Sequence, residues 1–526
     1  MNEQIDANLA IIDYVVIAIY LAIVIGIGVW VARKTKTGED LFLAGRSLGW
    51  VAIGFSLFAS NISTSTLVGL TGSAYTGGLA VSAYEWMAGI PLLMMAFIFA
   101  PVFLKSRIST TPEYLEKRYS RRVRQYFSGL TIVFTVIVDT AGGLYAGAVV
   151  LQLFFPDLEI WMSCVAIGLF AGIYTATGGL RAVVYTDILQ SAVLISGTAL
   201  TAFLMFQSVD FSWASVREQV PDGNLSMVQP LDDDTLPWPG LFTGIWLLGF
   251  WYWVTNQYIV QRVLGAKNLS HAQHGAVLGG LLKILPTFFI ILPGVMAVVT
   301  LPDIETADQV FPIIITEVLP AGLTGLVLAG LIAAIMSTVD STLNSSSALL
   351  INDFLTKPSD EPDEEKAKKW GTMATLGFMA FAIVWAPLIQ YFGGLWSYIQ
   401  QAFSVLVPPL VVCFTLGALW PRGTANAAFW TLVSGHLLGL CVFVANQVGL
   451  WPIHFTINVT IMTLVSAAIF VTLSLMGKEE DADENAIWSR EAAFGTDAAT
   501  APVLSNVKTY AWLLGALMIG TLILFW

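Results

Sequence analysis

The sequence predicts an all-α integral membrane protein of about fourteen transmembrane helices, two of them broken near mid-membrane. Three observations predict it. Of 526 residues, 56% are hydrophobic and only 11% charged, against roughly 25% charged in soluble domains. The apolar residues gather in runs close to the ~20 that a helix needs to cross the hydrocarbon core. Two of those runs carry polar and small residues where a plain span has no use for them. The short alternating segments of a membrane β-barrel are absent.

The runs lie at 11–32, 48–73, 79–104, 125–154, 160–177, 184–207, 239–264, 273–300, 313–352, 370–391, 394–420, 426–447, 455–476 and 508–526. The first is too long for a signal-peptide core and follows Glu3 and Asp6, not a basic stretch, so it reads as a retained helix. Basic residues then alternate from loop to loop. Arg33, Lys34, Lys36 and Arg46 follow the first run, and Lys105 to Arg124 the third. Arg181 follows the fifth, Arg262 and Lys267 the seventh, Lys357 to Lys369 the ninth, and Arg422 the eleventh. Lys478, Arg490 and Lys508 precede the last run, while the intervening loops carry only Arg217. The positive-inside rule puts the basic loops in the cytoplasm. An even number of spans then places both termini outside the plasma (inner) membrane, with lipid as the solvent of the helices.

Composition narrows the function. The net charge of −12 sits in loop clusters such as Asp232–Asp234 and Asp360–Glu365, which argues against nucleic acid as a partner. Cys164, Cys413 and Cys441 fall inside apolar runs without paired spacing, so neither a disulfide framework nor a zinc site is indicated. His271, His274, His436 and His454 show no metal spacing, and no nucleophile motif occurs. An enzyme is not expected, nor an organic cofactor.

The second run places Ala59-Ser60-Asn61-Ile62-Ser63-Thr64-Ser65-Thr66 mid-membrane. Small residues can simply let helices pack closely. The alternative is an unwound segment, tolerated at that depth only beside protein or a water-filled cavity. The seventh run repeats the theme with Gly249 and the polar tail Thr255-Asn256-Gln257, five helices later. Paired interrupted helices indicate an inverted-repeat transporter with its site at the midplane. The chain then divides into an extra helix and loop (1–47), a first repeat (48–207), an extracellular loop (208–238), a second repeat (239–420) and three C-terminal helices (421–526).

Ser337 and Ser341 in the ninth run are spaced i, i+4 and share a face. With carbonyls freed by a broken helix, they would give a hard cation such as sodium its oxygen ligands. Asp340, between them, is costly in a membrane and functional by default, unless it lies near enough to the cytoplasm to be hydrated. Asp187 opens the sixth run, where it can also pair with Arg181. Glu85, Asp139, Lys283 and Gln400, with its neighbour Gln401, fall inside other runs. They are either a self-neutralising cluster or a site for a neutral polyhydroxylated ligand, the carboxylates accepting from hydroxyls and Lys and Gln donating. Trp86, Trp251, Tyr252 and Trp396 are candidate apolar faces for a sugar ring.

These residues resemble the sodium/solute symporter family, and within it the sodium/glucose and sodium/galactose cotransporter branch. The resemblance runs through Ala59-Ser60-Asn61-Ile62-Ser63, Tyr84-Glu85-Trp86, Thr111-Pro112-Glu113-Tyr114-Leu115, Gly178-Gly179-Leu180 to Asp187, Trp251-Tyr252-Trp253, Asn256 to Arg262 and Tyr398-Ile399-Gln400. It implies a 5+5 inverted repeat of the leucine-transporter type. It also implies one sodium held by the Ala59 and Ile62 carbonyls with Ala334, Ser337 and Thr338. In some members a second sodium lies near the positions of Asp187, Ser337, Asp340 and Ser341. The sugar contacts it implies are Glu85, Lys283 and Gln400. Tyr252 matches an inner gate, and Leu70, Tyr84 and Trp396 an outer one.

Three positions depart from the sugar pattern: Thr66 for a glutamine, Gly249 for a polar residue and Asp139 for an asparagine. A shorter, less polar wall leaves room for a different or larger ligand, and a second acid beside Glu85 argues against an anionic one. The expectation is therefore a sodium symporter of a small polar solute, a sugar first. Inositol, an amino sugar or a nucleoside are alternatives, as is a sodium-independent uniporter or sensor; the number of subunits is left open. Ser337→Ala is expected to raise the sodium concentration giving half-maximal uptake. An unchanged sodium dependence removes Ser337 from the ligand set.

Overall fold

The computed structural model describes residues 9–32, 44–155, 157–174, 179–355, 364–495 and 506–526; the side chains of Asp187, Ser337 and Asp340, and the basic stretches 33–36 and Lys357, lie outside the described set. Among the described residues the regular structure is helical, with two isolated bridges, Leu48 to Ala266 and Gln229 to Pro237. Ten helices among the described residues are long and apolar enough to cross a membrane. Ile11–Val24, Trp50–Asn61 and Ile160–Leu169 are shorter apolar helices, so helix length does not by itself fix the number of crossings at fourteen. Large apolar side chains such as Leu464, Trp512, Ile519 and Ile523 face outward, which is the surface expected where hydrocarbon replaces water.

Two expectations need correction. The run at 313–352 is not one element. Val310–Val318 stops before Leu319, and the chain turns through Pro320 and Gly322 into Leu323–Leu350. Gly322 has φ +88°, a conformation open to glycine, and Pro320 lacks the N–H to continue a helix. The interruption of the seventh run falls in the expected polar tail Thr255-Asn256-Gln257 and not also at Gly249. Gly249 lies inside Ile245–Phe250, the chain is π-wound over Trp251–Thr255, and the helix breaks at Asn256, which is extended at φ −67°, ψ 121°. The Asn256 side chain accepts from Tyr258 N and starts Gln257–Leu264. Asparagine is a strong N-cap, whereas a single glycine is easily absorbed within a packed membrane helix.

Glycines bring the site together. Trp50–Asn61 lies against Leu269–Leu282, and a Cβ on Gly54 would stand 2.6 Å from Leu278, one on Gly275 2.5 Å from Ile53. Only hydrogen fits at both, so the two backbones close up as small-residue interfaces do. That approach carries Lys283, just beyond Leu282, to the end of Trp50–Asn61.

The helix Ile11–Ala32 is fastened to Leu323–Leu350 by a buried carboxylate. Asp13 accepts from Gly322 N at 2.6 Å and Gly325 N at 2.8 Å. It thereby caps two of the donors that a helix start leaves unpaired. Asp13→Ala is expected to cost about 0.5–2 kcal/mol, the range for losing an N-cap, seen as a lower melting temperature in detergent. An unaltered melt would show that water or a neighbour replaces the cap at no cost.

Candidate functional site

The site grows from the break in the second run. Trp50–Asn61 ends, Ile62 leaves the helix at φ −78°, ψ 71°, and Ser63 is extended and caps Thr64–Gly77 through Thr66 N. Ser and Asn favour such positions because their side chains bond the backbone locally. Unwinding removes the helical partners of successive carbonyls. The Ser60 carbonyl accepts from Tyr252 Oη at 2.7 Å. The Asn61 carbonyl accepts from Thr66 Oγ1 at 2.6 Å and from Ser63 N at 2.8 Å. Among the described residues, no hydrogen bond reaches the carbonyls of Ala59 or Ile62. These are the two carbonyls the resemblance assigns to sodium.

The break is tied to the helix Leu323–Leu350 by Thr64 Oγ1, which donates to Leu331 O at 3.1 Å. One turn further along, Ala334 is buried and Thr338 half-buried. Thr338 lines the same cavity as Ser60, Asn61 and Ser63. The backbone there is helical through Ser337 and Asp340, and Ser341 is half-buried on the same helix.

Beside the break lies a small cavity of about 90 Å³. Glu85, Gln400, Thr66, Asp139, Gly249 and Tyr252 all line it. Lys283 stands behind the wall. Its Nζ donates to Glu85 Oε2 and to Asn61 Oδ1, both side chains of the ion pair being 1% exposed. Of the self-neutralising cluster, then, only one acid is neutralised: Lys283 is paired with Glu85, and Asp139 stays apart. Thr66 is also less free than expected, since its hydroxyl is spent on Asn61 O. Gly249 leaves open space, as an added Cβ would meet Pro91 at 3.4 Å and Trp253 at 3.6 Å, ordinary contacts.

At one end of the cavity Tyr84 and Trp396 meet edge-on with ring centroids 5.3 Å apart. Leu70 is fully buried and does not line the cavity. At the other end Tyr252 is held by its bond to Ser60. Two expected aromatic faces are elsewhere. Trp251 is fully buried, packed against Phe127 and Phe403, and Trp86 lies in the core. Gln401 instead bonds Ser397 and Gln447.

The lining adds residues that the sequence did not single out: Trp253, Tyr258 and Phe403. The π-wound stretch Trp251–Thr255 is the reason for the first. One extra residue in a turn rotates the following side chains, so Trp253 comes inward and Trp251 is directed away. Asp139 also sits in a π-wound stretch, Thr135–Thr140.

A model of the sodium:solute symporter family matches residues 41–435. Sodium/glucose cotransporter 1 of Oryctolagus cuniculus is 34% identical over 471 residues, covering 81% of this chain and 71% of the relative. Sodium/myo-inositol cotransporter 2 of Homo sapiens is 34% identical over 479 residues, covering 84% and 71%. Among solved structures, a Na+-coupled sialic acid symporter in a substrate-bound outward-open state has a TM-score of 0.74 at 22% identity, over 90% of this chain and 100% of that one. Mhp1 in an inward-facing conformation has a TM-score of 0.54 at 14% identity, over 86% and 94%. The shared fold is that of the leucine-transporter type.

The Glu85–Lys283 pair can be tested separately from transport. Lys283→Met leaves a buried acid without its cation and is expected to destabilise by about 3–5 kcal/mol. Adding Glu85→Gln to that variant should restore most of the loss, read from melting temperatures. Additive losses in the double variant would contradict the pairing.

Proposed function

We propose that this chain, which belongs to the sodium:solute symporter family, imports a neutral or weakly charged polyhydroxylated solute, a sugar first, with sodium. The observation that carries the reading is the pair of carbonyls, Ala59 and Ile62, that no hydrogen bond reaches among the described residues, beside a cavity lined by Glu85 and Gln400. An unsatisfied carbonyl at membrane depth costs several kcal/mol, and a bound hard cation relieves that cost. In this reading Ala334, Ser337 and Thr338 complete the sodium shell. Asp187, Asp340 and Ser341 belong to a second ion. Glu85 and Gln400 contact the solute, with Lys283 holding Glu85 in place. The repeats are 48–207 and 239–420, both termini face outward, and lipid surrounds the helices.

The cycle follows from linkage. An ion shifts a conformational equilibrium only by its differential affinity for the two states. Sodium entering from outside would fix the break against Leu323–Leu350. That orders the wall carrying Ser60 and Asn61 and readies the solute site. Closure of Tyr84 on Trp396 seals the outer path, and release of Tyr252 from Ser60 opens the inner one. The energetics suffice. One charge moving through 100 mV contributes about 2.3 kcal/mol and a tenfold ion gradient about 1.4. Two sodium ions thus supply roughly 7 kcal/mol. A tenfold solute accumulation needs about 1.4 kcal/mol.

A cyclic polyol is the second reading, since the human myo-inositol relative is as similar as the rabbit glucose one. Uptake of radiolabelled sugars and polyols into proteoliposomes, with an inward sodium or potassium gradient, tests both. Sodium-dependent accumulation of a sugar is expected. Equal uptake in potassium would remove the coupling, and a preference for inositol over all sugars would select the second reading.

A further inference from the structure

Resting on that reading of the cavity, we infer that Asp139 selects a solute carrying a protonated amine, as in an amino sugar, over its neutral counterpart. The argument is one of charge balance. The cavity lining holds two carboxylates, Glu85 and Asp139, and no Lys or Arg among its described residues. Glu85 is matched by Lys283 behind it. Among the described residues no cation pairs with Asp139: its Oδ2 is buried without a hydrogen-bond partner, and the neutral Asn256 amide stands beside it. A carboxylate kept from water without a counter-charge is costly, and a cation entering the cavity offsets that cost.

The surroundings suit an ammonium group. Tyr252, Trp253, Tyr258, Trp396 and Phe403 line the same cavity, and aromatic faces attract a cation through their quadrupoles. Trp396 Nε1 is buried without an acceptor, so the lining holds a donor as well as the Asp139 acceptor. An amine on a hydroxylated ring supplies the complement of both.

The experiment is uptake into proteoliposomes under an inward sodium gradient, below the pKa of the sugar amine, with glucosamine, glucose and N-acetylglucosamine compared. N-acetylglucosamine keeps the nitrogen and removes the charge. Glucosamine is expected to reach half-maximal uptake at a concentration about 10- to 100-fold lower than either neutral sugar, the range of one charge-assisted hydrogen bond. Asp139→Asn should erase that ratio and Asp139→Glu should keep it; the ratio is independent of how much variant is inserted. Sodium-driven uptake with no preference for glucosamine in the unaltered chain overturns the inference alone. So does an Asp139→Asn variant whose ratio is unchanged, or one that loses sodium cooperativity equally with all three sugars, since Asp139 is then an ion ligand. Absence of sodium-driven uptake of any of them overturns the transport reading together with the inference.

Discussion

A carbonyl oxygen in the middle of a bilayer has no water to bond, and this constraint organises the whole centre of the molecule. The chain unwinds at Ile62 and Ser63, and everything near it answers the resulting deficit. Thr66 bends back to Asn61, Tyr252 reaches across from the other half of the protein to Ser60, and Thr64 grips Leu331. Each closed bond also sets a distance between elements remote in sequence. The Tyr252 contact joins residues 192 apart, and the Thr64 contact joins residues 267 apart. Among the described residues, the carbonyls of Ala59 and Ile62 are left over. A structure that satisfied all of them would be a better-packed helix and a worse place for an ion.

Close packing and charge burial depend on the same approach of helices. Gly54 and Gly275 let Trp50–Asn61 and Leu269–Leu282 touch, and Lys283 arrives next to Glu85 and Asn61 as a consequence. A buried ion pair is a poor source of stability, because two desolvations offset the attraction. Its value here is positional. The ammonium fixes the carboxylate and the Asn61 side chain in one orientation, so the cavity wall is set before a ligand enters.

Much of the fold was legible because lipid imposes a blunt rule: apolar length and loop charge are coarse signals and survive without an alignment. The break at Asn61 to Ser63 was legible for a related reason, since capping residues in a row mid-membrane mark either close helix packing or an unwound segment. What was hidden depends on winding. Periodicity assumes 3.6 residues per turn, and the π-wound stretches 135–140 and 251–255 shift the register by a residue. That shift exchanged Trp251 for Trp253 at the cavity. The run at 313–352 misled for a different reason: Pro320 and Gly322 turn the chain within a stretch too apolar to look like a loop. The sequence could place Lys283 among acids, but not say which acid it would neutralise, because that choice is made by helix contact.

The open wall at Gly249 has an evolutionary meaning. A Cβ there would meet its neighbours at ordinary contact distance, so the position can change without repacking the helices around it. Other lining residues are not so free: Thr66 holds the break, Tyr252 a carbonyl, Glu85 a lysine. Position 249 is therefore where one codon can add side-chain volume and narrow the space for cargo, while the break and its contacts go on unaltered.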